Sequence, residues 1–317
     1  MLRSFISSNK WLLSALQQTK LGYPGLKVLS VVYTRFLGFH KMSGENVDLF
    51  YNTVLNLTEQ AGKIIKENIS SRHKNINFKS SNIDMVTETD QAVEKLFIDS
   101  LSKEFPDHKF IGEESSSTDQ QELTNDPTWV IDPVDGTMNF VHTFPHSCIS
   151  IALFIEKEPV IGIIFNPMLS QLFTARKGQG AFLNGERISV SDKTSLSDAL
   201  IMMEFGTSRH PERLRNCLEN QQKLMPHVHG LRALGSAALD MAMVACGAAD
   251  AYFEFGIHIW DIAAGELIVR EAGGVIIDPA GGKIERFSRR VLVASSQELA
   301  EKLSQQLTQL YPLELEK

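Results

Sequence analysis

No apolar run in the 317-residue chain approaches the roughly 20 residues that span a bilayer. Stretches such as Val28 to Val32 fall far short, so no membrane span is expected. Cysteine is scarce. Cys148, Cys217 and Cys246 lie far apart and lack zinc-ligand spacing, which excludes a disulfide framework and fits a reducing compartment. Cys148 and Cys246 sit in the apolar runs CISIALF and MVACGAA and are expected to act as small buried hydrophobes. Positive charge is in deficit. The formal net charge of -7 argues against a nucleic-acid-binding surface. It leaves an anionic ligand open, because bound divalent cations can reverse the potential inside a single cleft.

The first 44 residues lack something else: they contain no acid before Glu45. They carry Arg3, Lys10, Lys20, Lys27, Arg35 and Lys41 among many Ser, Leu and aromatic residues. That is the composition of a mitochondrial presequence, and an alternative-start extension is the other reading, since Met42 could begin a complete soluble core. Residues 1–44 are therefore expected to be an N-terminal extension, a presequence or disordered, and residues 45–317 one folded domain. With 43% hydrophobic and 22% charged residues, the chain has the composition of an ordinary globular protein.

Helical periodicity runs from Asn46 to about Ile69 and again from Asp90 to Phe105. Asp90 is placed at the start of the second helix, where its carboxylate helps cap the first turn. Lys109 to Ile111, Trp129 to Ile131, Cys148 to Ile155, Val160 to Phe165, Leu172 to Ala175 and Ala181 to Leu183 read as strands. Glu158-Pro159 is the expected turn between the third and fourth, and Asn184-Gly185 is a strong hairpin signal. Connections this short predict an antiparallel sheet. Further on, Leu200 to Met203 reads as a strand. Helices are predicted at Pro211 to Met225, Ser236 to Ala245, Asp261 to Ala272 and Gln297 to Leu310, with Gly273-Gly274 ending the third before a strand at Val275 to Ile277. The pattern is a layered mixture of sheets and helices.

Chemistry concentrates at Trp129 to Thr137 (WVIDPVDGT), where an apolar strand ends in two carboxylates three residues apart. Pro133 restricts the backbone between them and Gly136 lets the chain approach a ligand closely. Thr137 opens a short helix through Phe140, whose free N–H groups favour an anion such as phosphate. Two acids beside an anion site repel the anion unless a cation lies between them. With no Cys or His cluster alongside, oxygen ligation points to Mg²⁺. Glu113 and Glu114 follow another short strand, and Asp261 opens a helix. Each alone reads as a solvated or capping acid.

Together these residues resemble the inositol monophosphatase family. The matching stretches are Asp84 to Asp90 (DMVTETD), Gly112 to Ser115 (GEES), Asp132 to His142 (DPVDGTMNFVH) and Trp260 to Gly265 (WDIAAG), in the family's order and spacing. The resemblance covers about Val47 to Leu310. Phe205 to Arg209 and Tyr252 to His258 look like the animal inositol monophosphatases in particular.

The resemblance implies an α/β (α+β) fold, a layered α-β-α-β-α sandwich of the sugar phosphatase type. It implies hydrolysis of myo-inositol monophosphates by an activated water, with Mg²⁺ as cofactor and sensitivity to lithium. Glu113, Asp132 and the Val134 carbonyl would hold one ion, and Asp132, Asp135 and Asp261 a second, with a weaker third near Glu113. Gly136 and Thr137 would cradle the phosphate, while Asp90 and Thr137 orient the attacking water and Glu113 takes part in catalysis. Val134, Asp135, Gly136, Thr137, Gly235, Ser236, Ala237, Glu254 and Asp261 would line the substrate site, and Lys79 would sit on a loop near the metals. A homodimer and a cytoplasmic location are the further expectations, mitochondrial if residues 1–44 are a presequence. Another small phosphate monoester, a sugar phosphate or a nucleotide 3'-phosphate, is the alternative substrate. A metal-stabilised binding protein without activity is the alternative class.

Overall fold

The computed structural model describes residues 45–69, 76–78, 85–115 and 122–311. Tyr51–Lys317 forms one compact unit, and of the residues before it only 45–50, which open the first helix, are described. That helix, α1 (Glu45–Ile69), buries Val54, Leu57, Ala61, Ile65 and Ile69 along one stripe. A short antiparallel pair, β1 (Ile76–Phe78) and β2 (Met85–Thr87), leads into α2 (Glu88–Glu104). Thr87 caps α2, and Asp90, at the third helical position, accepts a hydrogen bond from the Thr87 amide in return.

A seven-stranded sheet follows. Its strands are β3 (Lys109–Gly112), β4 (Thr128–Asp135), β5 (Cys148–Ile155), β6 (Glu158–Asn166), β7 (Gln171–Arg176), β8 (Gly180–Leu183) and β9 (Glu186–Ile188), in spatial as well as chain order. A single helical turn and a half, α3 (Thr137–Val141), leaves the end of β4. The expected antiparallel pairing holds from β4 to β9, whereas β3 lies parallel to β4. The chain between β3 and β4 is long enough to return to the same sheet edge, which a tight hairpin cannot do. The β5–β6 turn is Glu156-Lys157, both left-handed at φ 54° and 64°, and not Glu158-Pro159. Pro159 instead sits within β6 opposite Phe154, at a register irregularity that tolerates its missing N–H.

The second sheet contains β10 (Leu200–Met203), β11 (Gly230–Arg232), β12 (Ala251–Phe255), β13 (Val275–Ile277) and β14 (Arg290–Ala294), in the order β11-β10-β12-β14-β13. β10 runs parallel to β11 and β12, and β14 antiparallel to both its neighbours. Two helices, α5 (Ala237–Ala245) and α6 (Ile259–Glu271), lie between the sheets, with α4 (Pro211–Leu224) and α7 (Gln297–Gln306) on the outer face of the smaller one. With α1 and α2 against the larger sheet, the layers are α-β-α-β-α. The central core joins Val130, Phe154 and Ile164 of one sheet to Met241, Ile262 and Ile268 of the helices and Tyr252 and Val293 of the other sheet. Gly162 lets α6 approach closely: a Cβ there would lie 2.7 Å from the Ala264 carbonyl oxygen.

Two further details differ from the sequence expectation. α7 stops at Gln306, because the next residues are captured by α4: Asn220 accepts the Thr308 amide at 2.7 Å and Asn216 donates to its carbonyl at 2.8 Å. Cys148 is fully buried as expected, but Cys246 is only half-buried, at the end of α5.

Candidate active site

The eight residues of β4 are buried throughout, so nothing in its environment separates one face from the other. Simple alternation would aim Asp132 and Asp135, three residues apart, to opposite sides of the sheet. A bulge prevents this. Asp132 pairs with Ser150 and Asp135 with Cys148, so three steps on β4 oppose two on β5. Pro133, which can donate no ladder hydrogen bond, lies inside the irregularity. The extra residue re-aims the end of the strand, and both carboxylates face the same space.

Asp261, the third residue of α6, points into that space. One carboxylate oxygen from each of Asp132, Asp135 and Asp261 lies within 4.8 Å of the others. Each is held. The Val134 amide donates to Asp132 Oδ1 at 3.0 Å, and the His258 amide to Asp261 Oδ2 at 2.6 Å. Asp135 Oδ2 accepts the Ser236 hydroxyl at 2.6 Å and the Ala238 amide at 2.7 Å. Glu113 enters from the end of β3, where its amide continues the parallel ladder to the Ile131 carbonyl at 3.1 Å, and its carboxyl reaches hydrogen-bonding range of Asp132.

Burial, followed by Glu113, Asp135 and Asp261, pushes the Asp132 carboxyl well above the usual range. Asp261 is pushed up by burial and Asp135, and Asp135, despite its two donors, rises by burial to about 6. Acids gathered in this way bind protons or cations strongly. An all-oxygen set of three carboxylates with a fourth alongside fits a hard divalent cation.

Asp90 stands at the edge of the group. Thr87 holds its Oδ2 with both amide and hydroxyl, leaving Oδ1 for the Thr137 hydroxyl at 3.2 Å. Thr137 Oγ1 also lies 3.1 Å from the Val134 carbonyl. Burial lifts Asp90 to about 6, Thr87 opposing and Glu113 reinforcing the rise. Gly136 makes the adjoining turn at φ +84°, and a Cβ there would lie 2.9 Å from both the Gly235 and His146 carbonyl oxygens. The first bond within α3 runs from the Phe140 amide to the Gly136 carbonyl, so the amides before it have no acceptor inside the helix.

Gly235, Ser236 and Ala237 form the turn opposite, ahead of α5. Glu254 lies beyond on β12, buried, accepting the Tyr252 hydroxyl at 2.5 Å. Burial and then Glu204 raise its carboxyl to about 8. Asp90, Glu113, Asp132, Val134, Asp135, Gly136, Thr137, Gly235, Ser236, Ala237, Glu254 and Asp261 are thus gathered around one region. Lys79 lies outside the described residues.

Several contributors carried no signal in the sequence analysis. Glu94, buried on α2, accepts the Glu114 amide at 2.9 Å and so anchors the Glu113 turn. Its spacing of four from Asp90 would have placed both acids on one helix face. Asn139 donates to the His146 and Leu234 carbonyls at 2.8 and 2.7 Å, tying α3 to the 234–237 turn. Glu204 and Asp240 belong to the same neighbourhood through contacts across the sheet that no local spacing reveals.

The family model described as "Inositol monophosphatase family" matches residues 46–311. The chain is 45% identical to human "Inositol monophosphatase 1" over 261 residues, 81% of this chain and 93% of that protein. It is 43% identical to rat "Inositol monophosphatase 2" over 262 residues, 82% of this chain and 90% of that one. Among solved structures, the extragenic suppressor protein suhB of Bartonella henselae superposes with a TM-score of 0.73 at 34% identity, covering 81% of this chain and 98% of its own.

Proposed function

Because the chain belongs to the inositol monophosphatase family and is a phosphoric monoester hydrolase, we propose that it hydrolyses inositol monophosphates with the help of Mg²⁺. The observation that carries the reading is the meeting of Asp132, Asp135 and Asp261 oxygens within 4.8 Å, beside the Asp90–Thr137 pair. Phosphate monoester hydrolysis is among the slowest uncatalysed reactions, needing accelerations toward ~10²¹, and one acid–base pair contributes only about 10²–10⁴. When bound, Mg²⁺ supplies Lewis acidity to the phosphoryl and leaving oxygens and acidifies water.

The residues of this chain have distinct tasks in that reading. Glu113, Asp132 and the Val134 carbonyl hold one cation; Asp132, Asp135 and Asp261 hold another. The amides of Gly136 and Thr137 cradle the phosphate. The Thr137 hydroxyl accepts a hydrogen bond from the attacking water and passes its own proton toward Asp90 Oδ1. With Thr87 occupying Asp90 Oδ2, that transfer has one available oxygen, on a carboxyl whose value of about 6 suits proton exchange near neutrality. Glu254 and the 235–237 turn meet the hydroxyls of the alcohol. A carboxyl there exchanges hydrogen bonds with hydroxyls and gives a second phosphate no counter-charge, which favours a polyol over a nucleotide or bisphosphate.

Asp135→Asn and Asp261→Asn should each abolish turnover with the circular-dichroism spectrum unchanged, and substantial activity in both would sink the reading. The substrate class is tested on wild type by kcat/KM for myo-inositol 1-phosphate against sugar phosphates and nucleotide 3'-phosphates. Lithium should inhibit.

A homodimer is supported by exposed Leu169, which lines an apolar recess with His146, Met202, Leu234 and Met243, and by exposed Phe144, whose ring centroid lies 4.9 Å from that of His146. Sedimentation of wild type against Phe144→Glu tests it. Among the described residues no helix is long and apolar enough to cross a membrane. A cytoplasmic location, or a mitochondrial one directed by residues 1–44, is tested by fractionation with intact mass of the native chain.

A further inference from the structure

β10 ends at Met203 and pairs with β12 only as far as Phe253. Beyond that point a side chain reaches β12 from α4. Arg213, the third residue of the helix, is buried and donates from Nη2 to the Phe255 carbonyl. Its guanidinium also fills the space that two glycines leave. A Cβ at Gly206, in the loop after β10, or at Gly256, directly after β12, would collide with it, and both glycines are left-handed, at φ +62° and +89°. One side chain thus closes on the end of β12 and on the loop after β10. A buried guanidinium is costly unless its donors are used and its charge is met. Glu204 and Glu254 line the same recess as Arg213 and supply two acids.

Each of the two elements held by Arg213 carries a group of the alcohol side of the site. Glu254 directly precedes Phe255 on β12. Glu204 opens the loop that contains Gly206, and its Oε1 accepts the amide of Gly235 at 2.7 Å, the first residue of the turn whose Ser236 hydroxyl holds Asp135. We propose that Arg213 is a positioning residue for the substrate alcohol: by gripping the Phe255 carbonyl and packing between Gly206 and Gly256, it holds Glu254 where that carboxyl meets the hydroxyls. Arg213 acts through β12 and touches no substrate.

The surroundings agree. Cys217, one turn further along the same face of α4, lies with its Sγ 3.9 Å from the Glu204 carbonyl, so the helix meets this loop at two successive turns. Burial and then Glu204 raise the Glu254 carboxyl, and Arg213 opposes that rise as a neighbouring cation does. The planar fork of arginine suits the task, because several donors and a flat body occupy the gap between the two glycines. A lysine ammonium is a single point charge that cannot fill it in the same way.

The effect on substrate rests on the phosphatase reading above; the coupling of Arg213 to Glu254 does not. Arg213→Met keeps much of the volume and removes the donors. It should raise KM for myo-inositol 1-phosphate about tenfold, the loss of one charge-assisted hydrogen bond, with kcat little changed. The inhibition constant of inorganic phosphate, which has no alcohol, should stay at its wild-type value. Arg213→Lys should raise KM less than Arg213→Met, and it carries the same measurements if the Met variant does not fold. An unchanged KM, or phosphate inhibition that weakens in step with KM, overturns the proposal. Urea midpoints of wild type, Arg213→Met, Glu254→Gln and the double variant test the coupling without substrate: the two substitutions should be non-additive, and additive midpoints overturn the proposal. If wild type turns over no inositol phosphate while the midpoints are non-additive, the substrate reading fails and the hold of Arg213 on Glu254 stands.

Discussion

At the scale of single residues, the candidate site is built from acids that other side chains hold in place. Ser236 illustrates how. Its hydroxyl caps α5 through the Leu239 amide and also donates to Asp135, so one group sets both a helix start and the aim of a carboxylate. Asp135 keeps the Ala238 amide when the hydroxyl is removed. Ser236→Ala should therefore retain activity but require about 10–100-fold more Mg²⁺ for half-maximal rate, as for lost partners of metal ligands elsewhere. Titration of activity against free Mg²⁺ measures this. Ser236→Thr keeps the hydroxyl and should restore the wild-type requirement, unless the added methyl is excluded by the buried surroundings.

At the scale of elements, strand ends and helix starts do the assembling. β3 and β4 end side by side and deliver Glu113 and Asp132; α2, α3 and α6 begin there and deliver Asp90, Thr137 and Asp261. The position of α6 depends on its contact with β6, where Gly162 leaves room for the Ala264 carbonyl. Gly162→Ala places a methyl 2.7 Å from that oxygen, and because the obstacle is backbone it cannot rotate away. Overpacking of this kind typically costs ~1–3 kcal/mol. Urea denaturation should register a loss in that range. Since α6 carries Asp261, the same variant should also bind Mg²⁺ more weakly, although residue 162 is no ligand.

At the scale of the whole molecule, the site is a source of instability that ligands relieve. Asp90 and Asp135 rise from 3.8 to about 6, and Glu254 from 4.5 to about 8, chiefly through burial. A raised acid binds more protons folded than unfolded, so its stability contribution is full below its unfolded value and is lost as pH rises through the folded one. For the two aspartates the loss falls between about pH 4 and 6, and for Glu254 it extends to about pH 8. Metal-free Asp135→Asn should accordingly be more stable than wild type at pH 8, by up to ~3 kcal/mol for an acid moved from 3.8 to about 6, and indistinguishable from it at about pH 3. Denaturant midpoints in chelator at the two pH values measure it. Added Mg²⁺ should reverse the order at pH 8, because a cation bound by the folded state stabilises wild type more than a variant lacking a ligand.

Periodicity and turn chemistry were sufficient for most of the elements, because α2, β5, β10 and α5 each follow from local patterns of burial and capping. The acidic motifs also identified the family, since their residue types and order are linear properties. Elsewhere, local signals named the right residues at the wrong place: Glu158-Pro159 resembles a turn, yet the left-handed Glu156-Lys157 pair fits the twist of the hairpin. The parallel pairing of β3 could not be read, since strand direction depends on where a long connection returns. The bulge that turns Asp132 and Asp135 to one side depends on β5 holding its register across Pro133. The bond from the Gly235 amide to Glu204 joins residues 31 positions apart, a turn and a strand end that meet only in the folded chain. Residue chemistry is local and was legible in the sequence; which carboxylates share one space, and how far their charges are shielded from water, is decided by packing.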